Sequence, residues 1–289
     1  MFTGCIARKG AFLLLLTMGF LMAAAQDMDS VQFVKAAWKK ERLGAGVQLY
    51  TRQFTDKALF ASNQFIVYAV IKNRGRKKRF HIAAEKKMLK PVSVFAREAN
   101  AIVAVNGNFF NTKDGGSVDY VKTDGRLISE NLVGGGGKLS AHQRSAIAIK
   151  RGKLSIVAGN DKADWPDAIA ASSVMANGPL LTLDAVDQVM DASAFSRNRH
   201  PRTAVGLTKR GKVILLVADG RYTNAAGLSL GELQKIMRWL NCSSAINFDG
   251  GGSSTLWTRK RGVVNHPSDN KKWDHEGERP VANVLYYSK

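Results

Sequence analysis

Four apolar stretches of the sequence end in an asparagine or aspartate with a glycine beside it. Because these two residue types tolerate turn conformations, turn formation alone could account for any one of them. Four such ends in one chain favour strands that finish at one rim of a sheet and line a polar cavity. These ends are Val105-Asn106-Gly107-Asn108, Met175-Ala176-Asn177-Gly178, Val217-Ala218-Asp219-Gly220-Arg221 and Phe248-Asp249-Gly250.

The last of these ends continues into a run of glycines and serines. Consecutive glycines permit backbone geometries that other residues avoid, and we expect their amides to turn inward and form an anion-binding concavity. The Gly-Lys-Ser/Thr element of nucleotide hydrolases is missing, so the run indicates binding of an anion or a sugar. The run consists of Asp249, Gly250, Gly251, Gly252, Ser253 and Ser254.

Two arginines lie beside these strand ends. Arg202 precedes an apolar stretch, and Arg221 follows the aspartate at position 219. A guanidinium group offers a rigid fork of donors that matches phosphate or carboxylate. A surface ion pair would explain either arginine equally well. Together with a glycine amide cradle, they predict a pocket suited to a phosphodiester.

Other kinds of catalytic site have weaker support. Cys242 follows an amphipathic stretch and is expected in the core, and the Gly-x-Ser-x-Gly nucleophile elbow is missing. The histidines show no helical metal-site spacing and no paired cysteines, so we predict no metal site and no cofactor, although a divalent metal stays an open alternative. The histidines are His81, His142, His200, His266 and His275.

The 289-residue chain is strongly basic, with 43 Lys and Arg against 23 Asp and Glu and a net charge of +20. Such charge permits binding to nucleic acid, anionic glycans or membrane surfaces. The basic residues are spread along the chain, and no nucleic-acid-binding motif accompanies the densest run, at 74–79. We therefore expect no nucleic-acid partner, and a phosphate-bearing glycan or sugar phosphodiester is the predicted partner.

The first residues follow the pattern of a secretory signal. Arg8 and Lys9 precede an apolar stretch over 11–25 that ends in three alanines before Gln26. We predict a signal peptide over 1–25 and a protein exported to a periplasm or out of the cell. An uncleaved anchor is the alternative, but the apolar stretch is short for a membrane span. After cleavage we expect no stable membrane span.

Hairpins dominate the predicted architecture. Helices are predicted over 31–41, 91–100 and after Ser229, whose spacing to Glu232 is that of a capping box. Most other segments alternate as strand, charged glycine turn and strand, with turns at 123–125, 150–153, 209–212 and 260–262. The fold class is therefore α+β, with a mixed, largely antiparallel sheet and a few packed helices. Residues 26–90 are expected to form an N-terminal strand and helix region packed on a main domain over 91–289.

Several motifs, in order, resemble the phosphodiester glycosidase family. The match extends from about residue 95 to the end of the chain. It comprises Asn106-Gly107-Asn108-Phe109-Phe110, Asn177-Gly178-Pro179, Pro201-Arg202-Thr203-Ala204-Val205-Gly206, Asp219-Gly220-Arg221, Gly227-Leu228-Ser229-Leu230, the run from Asn247 to Ser254, and Arg279-Pro280-Val281-Ala282-Asn283.

The resemblance implies hydrolysis of a sugar-1-phosphodiester of the N-acetylglucosamine type at its glycosidic C–O bond. A phosphomonoester, with a last pKa of about 6, leaves without the full proton donation that an alcohol needs, so one carboxylate could suffice. We favour Asp249 for that role, with Asp219 as the alternative. Arg202 and Arg221 would then hold the phosphate. The side chains expected to bind or orient the sugar are Asn106, Asn108 and Asn177.

Two other functions fit the same pocket. One is a non-catalytic module that binds anionic glycans. The other is a phosphodiesterase that cleaves P–O rather than C–O.

Overall fold

The structure, a computed structural model, describes residues 28–74 and 79–289. The signal peptide expected over 1–25 lies outside these residues, as do residues 75–78 of the basic run. Among the described residues, no helix combines the length and hydropathy needed to cross a membrane.

Eighteen strands and four α-helices make up the described part of the chain. The helices are α1 (28–34), α2 (Val92–Glu98), α3 (Ala194–Arg197) and α4 (Leu230–Trp239). The strands are β1 (Lys39–Gly44), β2 (Val47–Leu59), β3 (Ser62–Lys72), β4 (Arg79–Ala84), β5 (Val103–Asn106), β6 (Val121–Thr123), β7 (Arg126–Ser129), β8 (Ser145–Lys150), β9 (Lys153–Ala158), β10 (Ser173–Ala176), β11 (Leu180–Leu183), β12 (Val186–Asp187), β13 (Arg202–Thr208), β14 (Lys212–Ala218), β15 (Cys242–Asn247), β16 (Leu256–Thr258), β17 (Gly262–Val263) and β18 (Asn283–Ser288).

The strands form three sheets. The large sheet has the order β1-β2-β3-β14-β13-β15-β11-β12, the second has β7-β6-β10-β8-β9, and the third has β17-β16-β5-β18-β4. The neighbouring strands pair antiparallel, as in the six-residue register of β13 with β14 from Arg202↔Ala218 to Leu207↔Val213. The predicted α+β class is confirmed, with the strands divided among three antiparallel sheets.

The main core lies between the inner faces of the three sheets. Strand β14 is apolar throughout because both of its faces are buried. Val213, Leu215 and Val217 face this core. The alternate residues Ile214 and Leu216 face a second core formed with α1 and α4. A strand that is buried on both faces loses the usual apolar and polar alternation. Strand β14 therefore stands in a buried, central position.

The N-terminal region is part of the large sheet. Strand β3 pairs with β14 over seven positions, from Lys72↔Lys212 to Ile66↔Ala218. The helix predicted over 31–41 is wrong in its second half, because α1 ends at residue 34 and β1 starts at Lys39. Pairing of β1 with β2 satisfies the backbone groups that a longer helix would have used.

The four predicted turns are confirmed as hairpins. They connect β6 to β7, β8 to β9, β13 to β14, and β16 to β17. The predicted capping box is also present, since the Ser229 hydroxyl accepts from the Glu232 amide at 3.2 Å. The Glu232 carboxylate in turn accepts from the Ser229 amide at 2.9 Å. This cap fixes the start of α4 directly after the loop that packs on Arg202.

Replacing the capping hydroxyl should destabilise the fold. We expect Ser229→Ala to lower the free energy of unfolding by about 1 kcal/mol, because the Glu232 amide loses its acceptor. Urea denaturation measures this change. The control is Ser229→Thr, which keeps an acceptor and should retain most of the stability. Equal losses in both variants would contradict the cap as the cause.

Candidate active site

The four polar strand ends meet where the three sheets come together. Asn106, at the end of β5, is fully buried, and its amide donates to the backbone carbonyl of Asp249 at 2.7 Å. The carbonyl oxygen of the Asn106 side chain accepts from the Thr203 hydroxyl at 2.7 Å and the Thr255 amide at 3.2 Å. With its side chain engaged in this way, Asn106 holds the loop of Asp249 against β13. This contact suits an orienting role.

Asp249 is the partly buried carboxylate at the centre of the site. It follows β15, and its Oδ1 accepts from the Gly250 amide at 2.8 Å. Burial raises the pKa of Asp249 to about 6, although the Ser253 side chain, the Gly250 amide and the Arg279 guanidinium favour the ionised form. The nearby Asp119 carboxylate adds a like charge that raises this pKa further. A carboxyl group tuned in this way can exchange protons near neutral pH.

Asp219 has a different environment, because donors surround its carboxylate. It is 1 % exposed and accepts from the Asn265 amide at 2.9 Å, the His266 backbone amide at 2.8 Å and His266 Nδ1 at 2.9 Å. Burial raises the pKa of Asp219, and these hydrogen bonds oppose the rise. With both oxygens engaged, Asp219 is placed to orient His266 rather than to contact a substrate.

Aromatic rings fix the plane of His266. The imidazole stacks on Trp273 with centroids 3.8 Å apart and on His275 at 4.5 Å, and the Phe65 ring packs against it edge-on. Nδ1 is bound by Asp219, and Nε2 has no hydrogen-bond partner among the residues in the described ranges. The imidazole therefore keeps one ring nitrogen for proton transfer, while its orientation is set by the other.

A second histidine and aspartate pair lies on another side of the site. His142 Nδ1 lies 3.0 Å from Asp119 Oδ2, and Asp119 is fully buried. Burial raises the pKa of Asp119, and the hydrogen bond to His142 opposes that rise. The His142 ring packs against Phe109, with centroids 4.6 Å apart, next to a small cavity. Asp119 and Asp249 interact electrostatically, which connects the Asp119–His142 pair to the central carboxylate.

The glycine run differs from the expected amide cradle. The Gly250 amide donates to Asp249 itself, and the Gly251 amide donates to the Pro201 carbonyl at 2.8 Å. The Ser253 and Ser254 amides close a tight turn onto Gly250 and Gly251. The reason is local: the chain reverses sharply after β15, and this reversal engages the amides of Gly250, Gly251, Ser253 and Ser254. The Ser254 hydroxyl is buried without a partner among the described residues, while the buried Ser253 hydroxyl lies beside the Asp249 carboxylate.

Arg202 also differs from its expected role. It is 1 % exposed, and its guanidinium donates to the backbone carbonyls of Leu228, Phe195 and Asn198 at 2.9, 2.5 and 3.2 Å. Burial lowers the pKa of Arg202 to about 10. These contacts hold α3 and the loop before α4 together, so Arg202 supports the wall of the site in this conformation.

Two other arginines are better placed for an anion. Arg221 is exposed and lies over Gly251: a Cβ added to that glycine would come within 2.9 Å of the guanidinium. Arg279 forms a two-pronged ion pair with Asp269 and interacts electrostatically with Asp249. Gly252 allows this close approach, since a Cβ there would lie 2.5 Å from Arg279. Positive charge therefore borders Asp249 on the side of the glycine run.

Asn108 and Asn177 each keep one free polar atom. Asn108 Oδ1 accepts from Ser117 at 2.6 Å and Asn283 at 2.5 Å, while its Nδ2 is buried without a partner in the described ranges. Asn177 is fully buried after β10, and its Oδ1 likewise has no partner there. Buried polar atoms are normally hydrogen-bonded. These two atoms are therefore candidates for contact with a ligand.

Sequence reasoning missed part of this network. It tested His142 and His266 only for metal spacing. It also did not select Asp119 or Arg279 as site residues, although Arg279 stands in the last of the family motifs. Across the described ranges, no three His, Cys, Asp or Glu side chains converge as a metal site would require. The signal for His266 was present, since Asn265-His266-Pro267 follows β17 as another polar loop after a short strand.

Comparison with known proteins adds a family. A family model described as phosphodiester glycosidase matches residues 99–288, more than half of the chain. The chain is 32 % identical over 186 residues to mouse N-acetylglucosamine-1-phosphodiester alpha-N-acetylglucosaminidase. The aligned region covers 59 % of this chain and 34 % of the mouse protein. The human protein of the same name is 29 % identical, and the aligned region covers 60 % of this chain and 35 % of the human protein. The chain thus spans about a third of the length of the curated relatives it matches.

Solved structures show a shared fold. The catalytic domain of the zebrafish protein of that name has a TM-score of 0.66 at 21 % identity, covering 84 % of this chain and 83 % of that one. A hypothetical protein from Synechocystis also has a TM-score of 0.66, at 16 % identity, and the match covers 86 % of this chain and 63 % of the Synechocystis chain. At these identities the likeness concerns the fold alone.

The raised pKa of Asp249 predicts a cost in stability. Asp249→Asn should increase the free energy of unfolding by about 1–3 kcal/mol at pH 7, because folding then buries no charge there. The gain should be full above about pH 6, fall as the pH drops toward the unfolded-state pKa, and vanish below about pH 3, where the Asp249 carboxyl is protonated in both the folded and the unfolded state.

Urea denaturation at about pH 7 and about pH 3, on either side of the folded and unfolded pKa values, measures this difference. Asp161→Asn, at an 83 % exposed side chain, is the control for introducing asparagine. An Asp249→Asn variant that is less stable than the parent at pH 7 would contradict the burial of charge at this position.

Proposed function

The chain belongs to the phosphodiester glycosidase family, and from this premise we propose that it hydrolyses sugar-1-phosphodiesters at the glycosidic C–O bond. The mouse and human relatives are named for action on N-acetylglucosamine-1-phosphodiester. We therefore propose an N-acetylglucosamine-1-phosphodiester type of substrate, with a free sugar and a phosphomonoester as products. Export forms part of the proposal and is supported by the charged and apolar pattern of residues 8–25.

The environment of Asp249 is the observation that carries this proposal. A carboxyl group with a pKa of about 6 lies beside Arg279 and two residues from the glycine under Arg221. The guanidinium groups favour a phosphate on one side of the carboxylate. A phosphodiester bound there would bring its sugar toward the free amide atoms of Asn108 and Asn177.

The proposed reaction needs one base and a stabilised leaving group. The Asp249 carboxylate takes a proton from water, whose oxygen forms a bond to the anomeric carbon. The bond from that carbon to the phosphate oxygen breaks, and its electron pair stays on the departing phosphomonoester. Arg221 stabilises the developing negative charge, since a fixed cation near the leaving oxygen acts only as charge appears.

His266 completes the proposed site, and Asp219 positions it. The hydrogen bond from Nδ1 to Asp219 keeps the proton on that nitrogen, so Nε2 is the atom that faces exchange. Asp219 thereby acts through His266, which assigns to Asp249 the direct contact with the reacting water.

Isotope labelling tests the bond that breaks. Hydrolysis in oxygen-18 water should place the label in the sugar, trapped by immediate reduction of the product, because water attacks the anomeric carbon. Label in the phosphate product would contradict C–O cleavage and identify a phosphodiesterase. Binding without turnover of any sugar-1-phosphodiester would instead support a glycan-binding module.

Substitutions separate the proposed roles. Asp249→Asn should lower kcat by about 10²- to 10⁴-fold, the usual loss on removing a general base. In the parent, kcat should fall below about pH 6 as Asp249 becomes protonated. Asp219→Asn should also lower kcat, but in a His266→Gln background it should cost little more, since both act as one unit.

Steady-state kinetics across pH measures these effects. The control for folding is the circular dichroism spectrum of each variant. Additive losses for Asp219→Asn and His266→Gln would show that Asp219 does not act through the imidazole. A folded Asp249→Asn variant with normal turnover would eliminate Asp249 as the base.

A further inference from the structure

A second concave surface lies on the face of the large sheet that carries α4. A groove of about 700 Å³ runs over β3, β14 and the C-terminal end of α4, and a hollow of about 220 Å³ adjoins it through Val70 and Lys212. We call the two together the basic groove. Its cationic lining consists of Arg42, Lys72, Lys209, Arg210, Lys212 and Arg238.

The charge of the basic groove is of one sign. Among the residues that the structure describes, no aspartate or glutamate lines it. Arg238 is ion-paired with Asp187 at 2.5 Å outside the lining. Lys209, Arg210 and Lys212 are exposed and have no carboxylate partner in the described ranges. A concave surface of this kind concentrates anions.

The aromatic rings in the basic groove are already packed. Tyr50 stacks on Tyr68 with centroids 4.7 Å apart, and the Lys40 ammonium lies 5.8 Å from the Tyr50 centroid. Trp239 stacks on Phe60 at 5.6 Å. Single-stranded nucleic acid is held largely by stacking of its bases on open aromatic faces. The groove therefore suits a chain that carries negative charge without bases.

The basic groove lies far from the candidate site along the same strand. Lys212 begins β14 and Asp219 follows its end, so about 20 Å of extended chain separates them. We propose that the groove binds a distal stretch of a phosphate-bearing glycan whose terminal sugar-1-phosphodiester occupies the candidate site. This inference rests on the proposed function. Two linked contacts raise affinity for a long chain through effective concentration and leave a short substrate unaffected.

The chain contains a matched control for this proposal. The tetrapeptide Lys-Arg-Gly-Lys occurs at 209–212, beside the basic groove, and again at 150–153, in the β8–β9 hairpin of the second sheet. Lys209→Glu/Lys212→Glu and Lys150→Glu/Lys153→Glu change the same residue types in the same local sequence. Both double variants alter the net charge equally, and all four lysines are exposed.

Two probes give the test. One is a fluorescent oligomer of N-acetylglucosamine 1-phosphate joined by phosphodiesters and long enough to exceed the ~20 Å span. The other is single-stranded DNA of equal charge. Fluorescence anisotropy in an Asp249→Asn background measures binding without turnover, so the result stands whether or not the proposed hydrolysis is correct. The KM for the methyl phosphodiester of N-acetylglucosamine 1-phosphate, measured with Asp249 intact, reports on the candidate site alone.

The groove variant should bind the oligomer about tenfold more weakly, since two exposed ion contacts are reversed. The β8–β9 control should bind it as the parent does, and KM for the short substrate should not change in either variant. Equal weakening in both double variants would show a general charge effect and overturn the proposal. DNA binding as tight as oligomer binding, with the same loss in the groove variant, would overturn it in favour of a nucleic-acid surface.

Discussion

The structure depends on one constraint: polar side chains at strand ends lie where three sheets meet, and those that are buried need hydrogen-bond partners inside the protein. Asn106 shows this most clearly. Its side chain joins β5 of the third sheet to Thr203 of the large sheet and to the carbonyl of Asp249. A buried polar group without a partner costs about 1–3 kcal/mol. The sheets are therefore held in the one arrangement in which these groups pair, and the candidate site is built at that junction.

The same junction separates groups that hold the structure from groups left for a ligand. Arg202 and Asp219 use their donors and acceptors within the protein. Arg221 is exposed and makes one long hydrogen bond, from Nη1 to the Ser268 hydroxyl at 3.5 Å, while Asn108 Nδ2 and Asn177 Oδ1 are buried without a partner in the described ranges. Depth does not explain the difference, since Asn108 and Asn177 are as deeply buried as Arg202 and Asp219. The difference lies in the neighbours that each group finds: a buried polar atom without a partner in the protein can accept one from a ligand.

Local chemistry made part of this predictable from the sequence. Charged glycine turns gave the hairpins, and the spacing of Ser229 and Glu232 gave the start of α4. The polar strand ends indicated where the site would lie. The direction of each side chain was not encoded locally. Whether Arg202 faces the cavity depends on the carbonyl of Leu228, and the pairing of His266 with Asp219 joins residues 47 positions apart.

Strand β14 carries Asp219 at its end and lies between β3 and β13, with apolar packing on both faces. Its amides have no route to solvent through a frayed edge, so their hydrogen exchange requires global unfolding. Asp219 is thus anchored to a central strand of the fold. Heat would therefore not displace Asp219 in advance of the rest: its position would be lost in the same cooperative transition that melts the large sheet.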